Sequence, residues 1–261
     1  MRERERIAFY RAVIDLLEAN RVAVLFGGAY ALHHYTGIPR DTKDFDLMVR
    51  PKHVHQVLRI CRRGGYQARV EFSHWLAKIV HRSAVIDVIF RAGNGLGSID
   101  DDWFNGATKI EVFGRKMLVA PPEEIIWQKA YIMERERYDG ADVAHLIAGF
   151  AERINWNHLL DRFGPDWRVL LSHLILFGFI FPGKRDLIPK DVMNDLLNRL
   201  HGELNQPPVN DKTCNGTLLS RIQYHSDIAV DGLIDARTDR RCKINSKELK
   251  AWTAAGKPEA R

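Results

Sequence analysis

Three aspartates and a pair of glycines are the residues of this chain best suited to chemistry. Asp44 and Asp46 stand two apart among apolar neighbours. Alternate side chains of an extended strand share a face, so both carboxylates project together while Phe45 and Leu47 point the other way. Carboxylates so placed repel each other unless a cation sits between them, and a hard divalent ion with oxygen ligands suits them. Asp87 interrupts the apolar run Ala84 to Phe90, where a charge needs a partner. If the two strands are neighbours, the three carboxylates surround one metal site of the kind that in-line displacement at phosphorus uses.

Upstream, Val22 to Phe26 reads as a buried strand running into Gly27 and Gly28, which let the backbone approach a ligand closely. Ala29 to Tyr35 has helical composition, so the glycine turn would aim amide groups at the mouth of a helix, where phosphate binds readily. Arg40, Thr42 and Lys43 then place cationic and hydroxyl donors directly before the acidic pair.

A Gly-Gly turn, a helix, an Asp-x-Asp strand and a later lone-Asp strand together resemble the nucleotidyltransferase superfamily related to DNA polymerase beta; residues 22 to 90 carry the likeness. Within it the chain is most similar to AbiEii-type toxin nucleotidyltransferase-like proteins, because Val119 to Lys129 leads into Arg135, Arg137, Tyr138, Asp139 and Asp142. The resemblance implies transfer of a nucleoside monophosphate from an NTP to an acceptor hydroxyl, with release of pyrophosphate and two Mg2+ ions held by Asp44, Asp46 and Asp87. It implies that Gly27, Gly28, Arg40, Thr42 and Lys43 position the triphosphate. It also puts Lys129 on the triphosphate and Asp139 or Asp142 near the site. The acceptor it implies is RNA, such as a tRNA end, or a protein, in a cytoplasmic toxin-antitoxin setting with an antitoxin partner. Small antibiotics are acceptors for other relatives. Two readings from other classes stay open: a catalytically silent nucleotide-fold protein that binds RNA or a partner, and a helical regulatory partner whose core is scaffold.

The elements that must hold these residues read as an α+β fold, with a mixed β-sheet core flanked by helices and followed by a helical half. Residues 1–121 are expected to form the catalytic core, and 122–261 a helical region for the acceptor or partner, ending in a polar tail. An amphipathic helix from Glu3 to Ala19 opens the chain, and its charged start is unlike a signal peptide. A helix from Pro51 to Arg63 precedes strands at Tyr66 to Phe72, Trp75 to His81 and Ala84 to Phe90, the last two joined at Arg82-Ser83. A hairpin spans Thr108 to Val119. Helices are then expected over Glu123 to Glu134, Asp139 to Phe150, Trp156 to Phe163, Trp167 to Phe181, Lys190 to Leu204 and Leu218 to Leu233, with polar residues after Lys243 fraying.

At 261 residues and 46% hydrophobic composition the chain can bury a core of its own. A formal charge of +6 permits a polyanionic partner without requiring one. Three scattered cysteines argue against a disulfide framework or zinc site, and Val169 to Phe181, the most apolar run, is too short to span a bilayer.

Overall fold

The computed structural model describes residues 3–39, 42, 44–209, 211–239 and 241–256. The chain divides into two compact units, one made of Met1–Pro121 with the described part of Arg237–Arg261, the other of Pro122–Ala236.

The first unit runs α1 (Glu3–Ala19), β1 (Leu25–Phe26), α2 (Gly28–Thr36), β2 (Asp44–Met48), α3 (Val54–Arg63), β3 (Gln67–Phe72), β4 (Leu76–His81), β5 (Ala84–Ile89), α4 (Asp101–Asn105), β6 (Thr108–Val112) and β7 (Arg115–Val119). Its seven strands form one sheet in the order β3-β4-β5-β2-β1-β7-β6. The β2/β5 and β1/β7 pairs are parallel and the others antiparallel, so the sheet is mixed and the α+β expectation holds. Alternation decides which face is covered. Phe45, Leu47, Ile86, Val88, Ala77 and Ile79 are buried on one side. There Tyr10 of α1 stacks on Phe45 with ring centroids 5.0 Å apart, and α3 packs on β3 and β4 through Val54, Val57, Leu58 and Cys61. The other face keeps the carboxylates.

The second unit holds α5 (Pro122–Ala130), α6 (Gly140–Phe150), α7 (Trp156–Phe163), α8 (Trp167–Ile180), α9 (Lys190–Leu204), β8 (Thr213–Cys214), α10 (His225–Ala229) and β9 (Ile234–Asp235), with β8 and β9 parallel. No helix among the described residues is long and apolar enough to cross a membrane.

Four expectations need correction. The strand over Val22 to Phe26 shrinks to two residues. The helix from Glu123 stops at Ala130, because the following residues turn back through an antiparallel bridge between Met133 and Tyr138. No helix spans Leu218 to Leu233: the Ser220 hydroxyl accepts from the Gln223 amide and donates to Glu134, and Glu134 also accepts from the Arg221 amide. Such side-chain bonds compete with the helical ladder. Finally, the residues after Lys243 do not simply fray. They form α11 (Ser246–Ala254), opened by a reciprocal capping box between Asn245 and Glu248. Its Trp252 meets Phe72 and Trp75 edge-on, at centroid distances of 4.9 and 5.2 Å. The chain from Arg237 onward thus belongs to the first unit rather than to the helical half.

Candidate functional site

Strand β2 positions the acidic pair, and its parallel pairing with β5 sets Asp46 directly beside Asp87, with Asp44 beside Val85. Asp44 is exposed, while Asp46 and Asp87 are half-buried on the open face. The structure therefore brings together the three aspartates that lie up to 43 residues apart in sequence (87 − 44 = 43).

The glycine turn is fitted to this face. Gly28 has φ +55°, a left-handed conformation, and a Cβ placed there would stand 1.6 Å from Asp46 Oδ2. The helix opening and the carboxylate share space that only glycine leaves empty. Gly27 continues the ladder by donating its amide to the Asp46 carbonyl (3.0 Å), and its own Cβ would press on the flexible end of Met48. Thr42 acts on the backbone of the acidic strand: its hydroxyl donates to the Asp44 carbonyl (3.0 Å) and accepts from the Asp44 amide (3.3 Å). Arg40 and Lys43 lie outside the described residues. A cleft of about 180 Å³ lined by Ala29, Tyr30, His33, Pro39 and Thr42 opens beside the start of β2.

The three carboxylates share one face of neighbouring strands but do not all meet the same neighbour. Among the described residues no three His, Cys, Asp or Glu side chains converge as a ligand cluster. Asp87 is instead drawn to Lys78 of β4, which donates to Asp87 Oδ1 at 2.8 Å. Burial pushes the Asp87 carboxyl above its ordinary value, the Lys78 contact opposes that, and Asp44 and Glu71 add to the rise. Sequence reasoning missed Lys78, although the signal was present. A tight turn at Arg82-Ser83 pairs His81 with Ala84, and counting back along both strands sets Lys78 opposite Asp87.

Lys129, Asp139 and Asp142 all lie in the second unit, and they do meet one another. The Lys129 ammonium sits 2.9 Å from Asp139 Oδ2 and 2.7 Å from Asp142 Oδ2, with all three side chains at most 14% exposed. Arg137 adds a two-pronged contact to Asp139 at 2.9 and 2.8 Å. Burial disfavours ionised Asp139, yet the Arg137 and Lys129 contacts outweigh it and hold the carboxyl below its ordinary value.

No family model matches the chain, and no curated protein matches it in sequence. Solved structures do. An antigenic nucleotidyltransferase-like protein from Paracoccidioides brasiliensis is 14% identical, with 71% of this chain and 92% of that one covered and a TM-score of 0.47. The antibiotic-resistance factor ANT(2'')-Ia is 14% identical, with 66% and 98% covered and a TM-score of 0.46. A lincosamide antibiotic adenylyltransferase bound to lincomycin is 20% identical, with 54% and 95% covered and a TM-score of 0.40.

Proposed function

We propose that this chain is a magnesium-dependent nucleotidyltransferase that moves a nucleoside monophosphate from an NTP to an acceptor hydroxyl. The observation that carries this reading is the in-register placement of Asp46 beside Asp87, with Asp44 on the same open face and Gly28 opening a helix against Asp46.

The donor set fits a hard divalent cation. Asp44 and Asp46 offer carboxylate oxygens from one strand face, and the space beside Asp46 is space a Cβ at position 28 would fill. When bound, the metal would neutralise charge on the phosphates and polarise the phosphorus that is attacked. Gly27 and Gly28 let the triphosphate lie close to the backbone, with Thr42 at its side. Tyr30 and His33 line the adjoining cleft. Asp87, whose proton affinity burial has raised, takes the proton of the acceptor hydroxyl. The acceptor oxygen bonds to the α-phosphorus, the bond from that phosphorus to the bridging oxygen breaks, and pyrophosphate leaves with the electron pair. Lys129, Asp139 and Asp142, which the family resemblance ties to the triphosphate, form an ion-paired cluster of their own within the second unit.

Incubation with labelled NTP and magnesium tests the reading. Label should pass to the acceptor with the natural chain, and Asp46→Asn should cut transfer by roughly a hundredfold or more, the scale of losing one charge-stabilising group at a reacting centre. Equal incorporation by both proteins would end the claim.

A basic surface suited to RNA covers the outer face of α3 and the turn before it, on the side of the sheet away from the carboxylates. Lys52, His55, Arg59 and Arg63 are exposed there at helical spacing, with no acidic residue between Pro51 and Arg63. Among the described residues Lys52, Arg59 and Arg63 form no ion pair with a carboxylate, and Lys52 and His55 sit at a helix start, where the helix dipole disfavours cations. Replacing Lys52, Arg59 and Arg63 by Gln should weaken binding of single-stranded RNA and lower the slope of log affinity against log salt by about 2, at about 0.7 per phosphate contact. An unchanged slope would move the acceptor elsewhere. The same surface would serve a catalytically silent RNA binder, which differs in passing no label. An antitoxin partner remains part of the AbiEii-type reading.

A further inference from the structure

Asp87 and Lys78 meet on the open face of the sheet, next to the acidic pair. Residues in register carry the face across four strands, with Arg69 of β3 opposite Lys78, Lys78 opposite Asp87, and Asp87 beside Asp46. The row therefore reads cation, cation, anion, anion. Arg69 is turned to Glu71 at 3.1 Å, which leaves Lys78 as the partner of Asp87. Neither side chain of that pair is more than 24% exposed.

We propose that Lys78 stands where a second divalent cation would otherwise sit, fixing Asp87, so that the centre takes one metal ion held by Asp44 and Asp46. This rests on the nucleotidyltransferase reading and narrows it.

Three physical points carry the inference. A tethered ammonium is present at all times, whereas a divalent ion must be recruited from solution. An ion bound at Asp87 would have to displace Lys78, leaving a largely buried ammonium beside a dication, with both repulsion and lost pairing against it. Magnesium in phosphoryl-transfer sites is commonly held by one or two carboxylates, with water and substrate phosphate completing its octahedron. Two carboxylates from β2 meet that need without a third. Lys78 is thus a positioning residue: it holds Asp87 at the acceptor side of the reaction while the metal serves the triphosphate side.

Titration of the full chain with Mn2+, read by electron paramagnetic resonance, tests this apart from turnover. The natural chain should bind one ion. Asp46→Asn should lose it, Asp87→Asn should keep it with unchanged affinity, and Lys78→Met should gain a second ion at Asp87. The Asp87→Asn measurement decides the matter even if Lys78→Met fails to fold. Two ions in the natural chain, or weaker binding after Asp87→Asn, would overturn the inference while leaving the transferase reading standing. Absence of any bound ion would remove both.

Discussion

Gly28→Ala should disable the site while leaving most of the fold in place. The cost has two separable sources. An alanine at φ +55° occupies the left-handed region, which disfavours a Cβ by about 1–2 kcal/mol. The larger effect is local: the new methyl would lie 1.6 Å from Asp46 Oδ2, 2.6 Å from its Cγ and 3.0 Å from its Cβ. Asp46 cannot retreat as a whole, because its carbonyl accepts from the Gly27 amide and its strand is paired on both sides. Its carboxylate must therefore swing off the face it shares with Asp87. Thermal unfolding should show a loss above the roughly 1–2 kcal/mol of the backbone conformation alone, with nucleotidyl transfer falling roughly a hundredfold or more, as for loss of a group at the reacting centre. Combining Gly28→Ala with Asp46→Ala should cost less stability than the two single changes added together, since removing the carboxylate relieves the clash. Strict additivity, or a fully active Gly28→Ala protein, would show that the helix opening and the carboxylate do not compete for space.

The acidic face illustrates how far local pattern reaches. Period-two alternation separates Asp44 and Asp46 from Phe45 and Leu47, and burial follows it residue for residue: both apolar side chains are fully buried and both aspartates reach solvent. The hairpin between β4 and β5 is equally local, because a two-residue turn dictates its own register. Parallel pairing of β2 with β5 is different in kind. It joins residues about forty apart across a helix and two strands, and nothing at either position encodes the partner. The order of motifs along a chain names candidate groups, and only the register of the β4–β5 hairpin, followed pair by pair, sets Lys78 opposite Asp87.

The C-terminal residues show the opposite limit. Asn245 and Glu248 have the spacing of a capping box, so the helix start was legible, yet a mostly polar segment with a single tryptophan offers little periodicity from which to infer a helix. Its order comes from tertiary contact, as Trp252 finds Phe72 and Trp75 some 180 residues earlier. The helix expected across Leu218 to Leu233 fails for a related reason. Apolar spacing there is compatible with a helix, but Glu134 captures the Ser220 hydroxyl and the Arg221 amide, and that long-range bonding outweighs weak local propensity.

Arg162→Ala should strongly destabilise the helical unit. Glu124 on α5 is fully buried, and its Oε1 accepts from Arg162 Nε at 2.8 Å while lying 2.7 Å from His158 Nε2, both on α7. Arg162 is only 13% exposed and also lies over the Trp127 ring, 5.3 Å from its centroid. Truncating it strands a buried carboxylate with His158 as the remaining partner and opens space beside the indole. Loss of one member of a buried pair costs about 3–5 kcal/mol, and the surviving histidine argues for the lower end. The deficit should depend on pH with a definite sign. Burial already pushes the Glu124 carboxyl above its ordinary value, with His158 and Arg162 holding it back. Without the guanidinium it climbs further. A carboxyl whose folded value is raised favours the folded state most below its unfolded value and loses that contribution as pH rises through the folded one. Urea unfolding followed from mildly acidic to mildly alkaline solution should therefore show the deficit growing as pH rises. Adding Glu124→Gln to Arg162→Ala removes the stranded charge and should flatten that dependence. Equal deficits across that range would mean that packing against Trp127, not charge, is what Arg162 supplies.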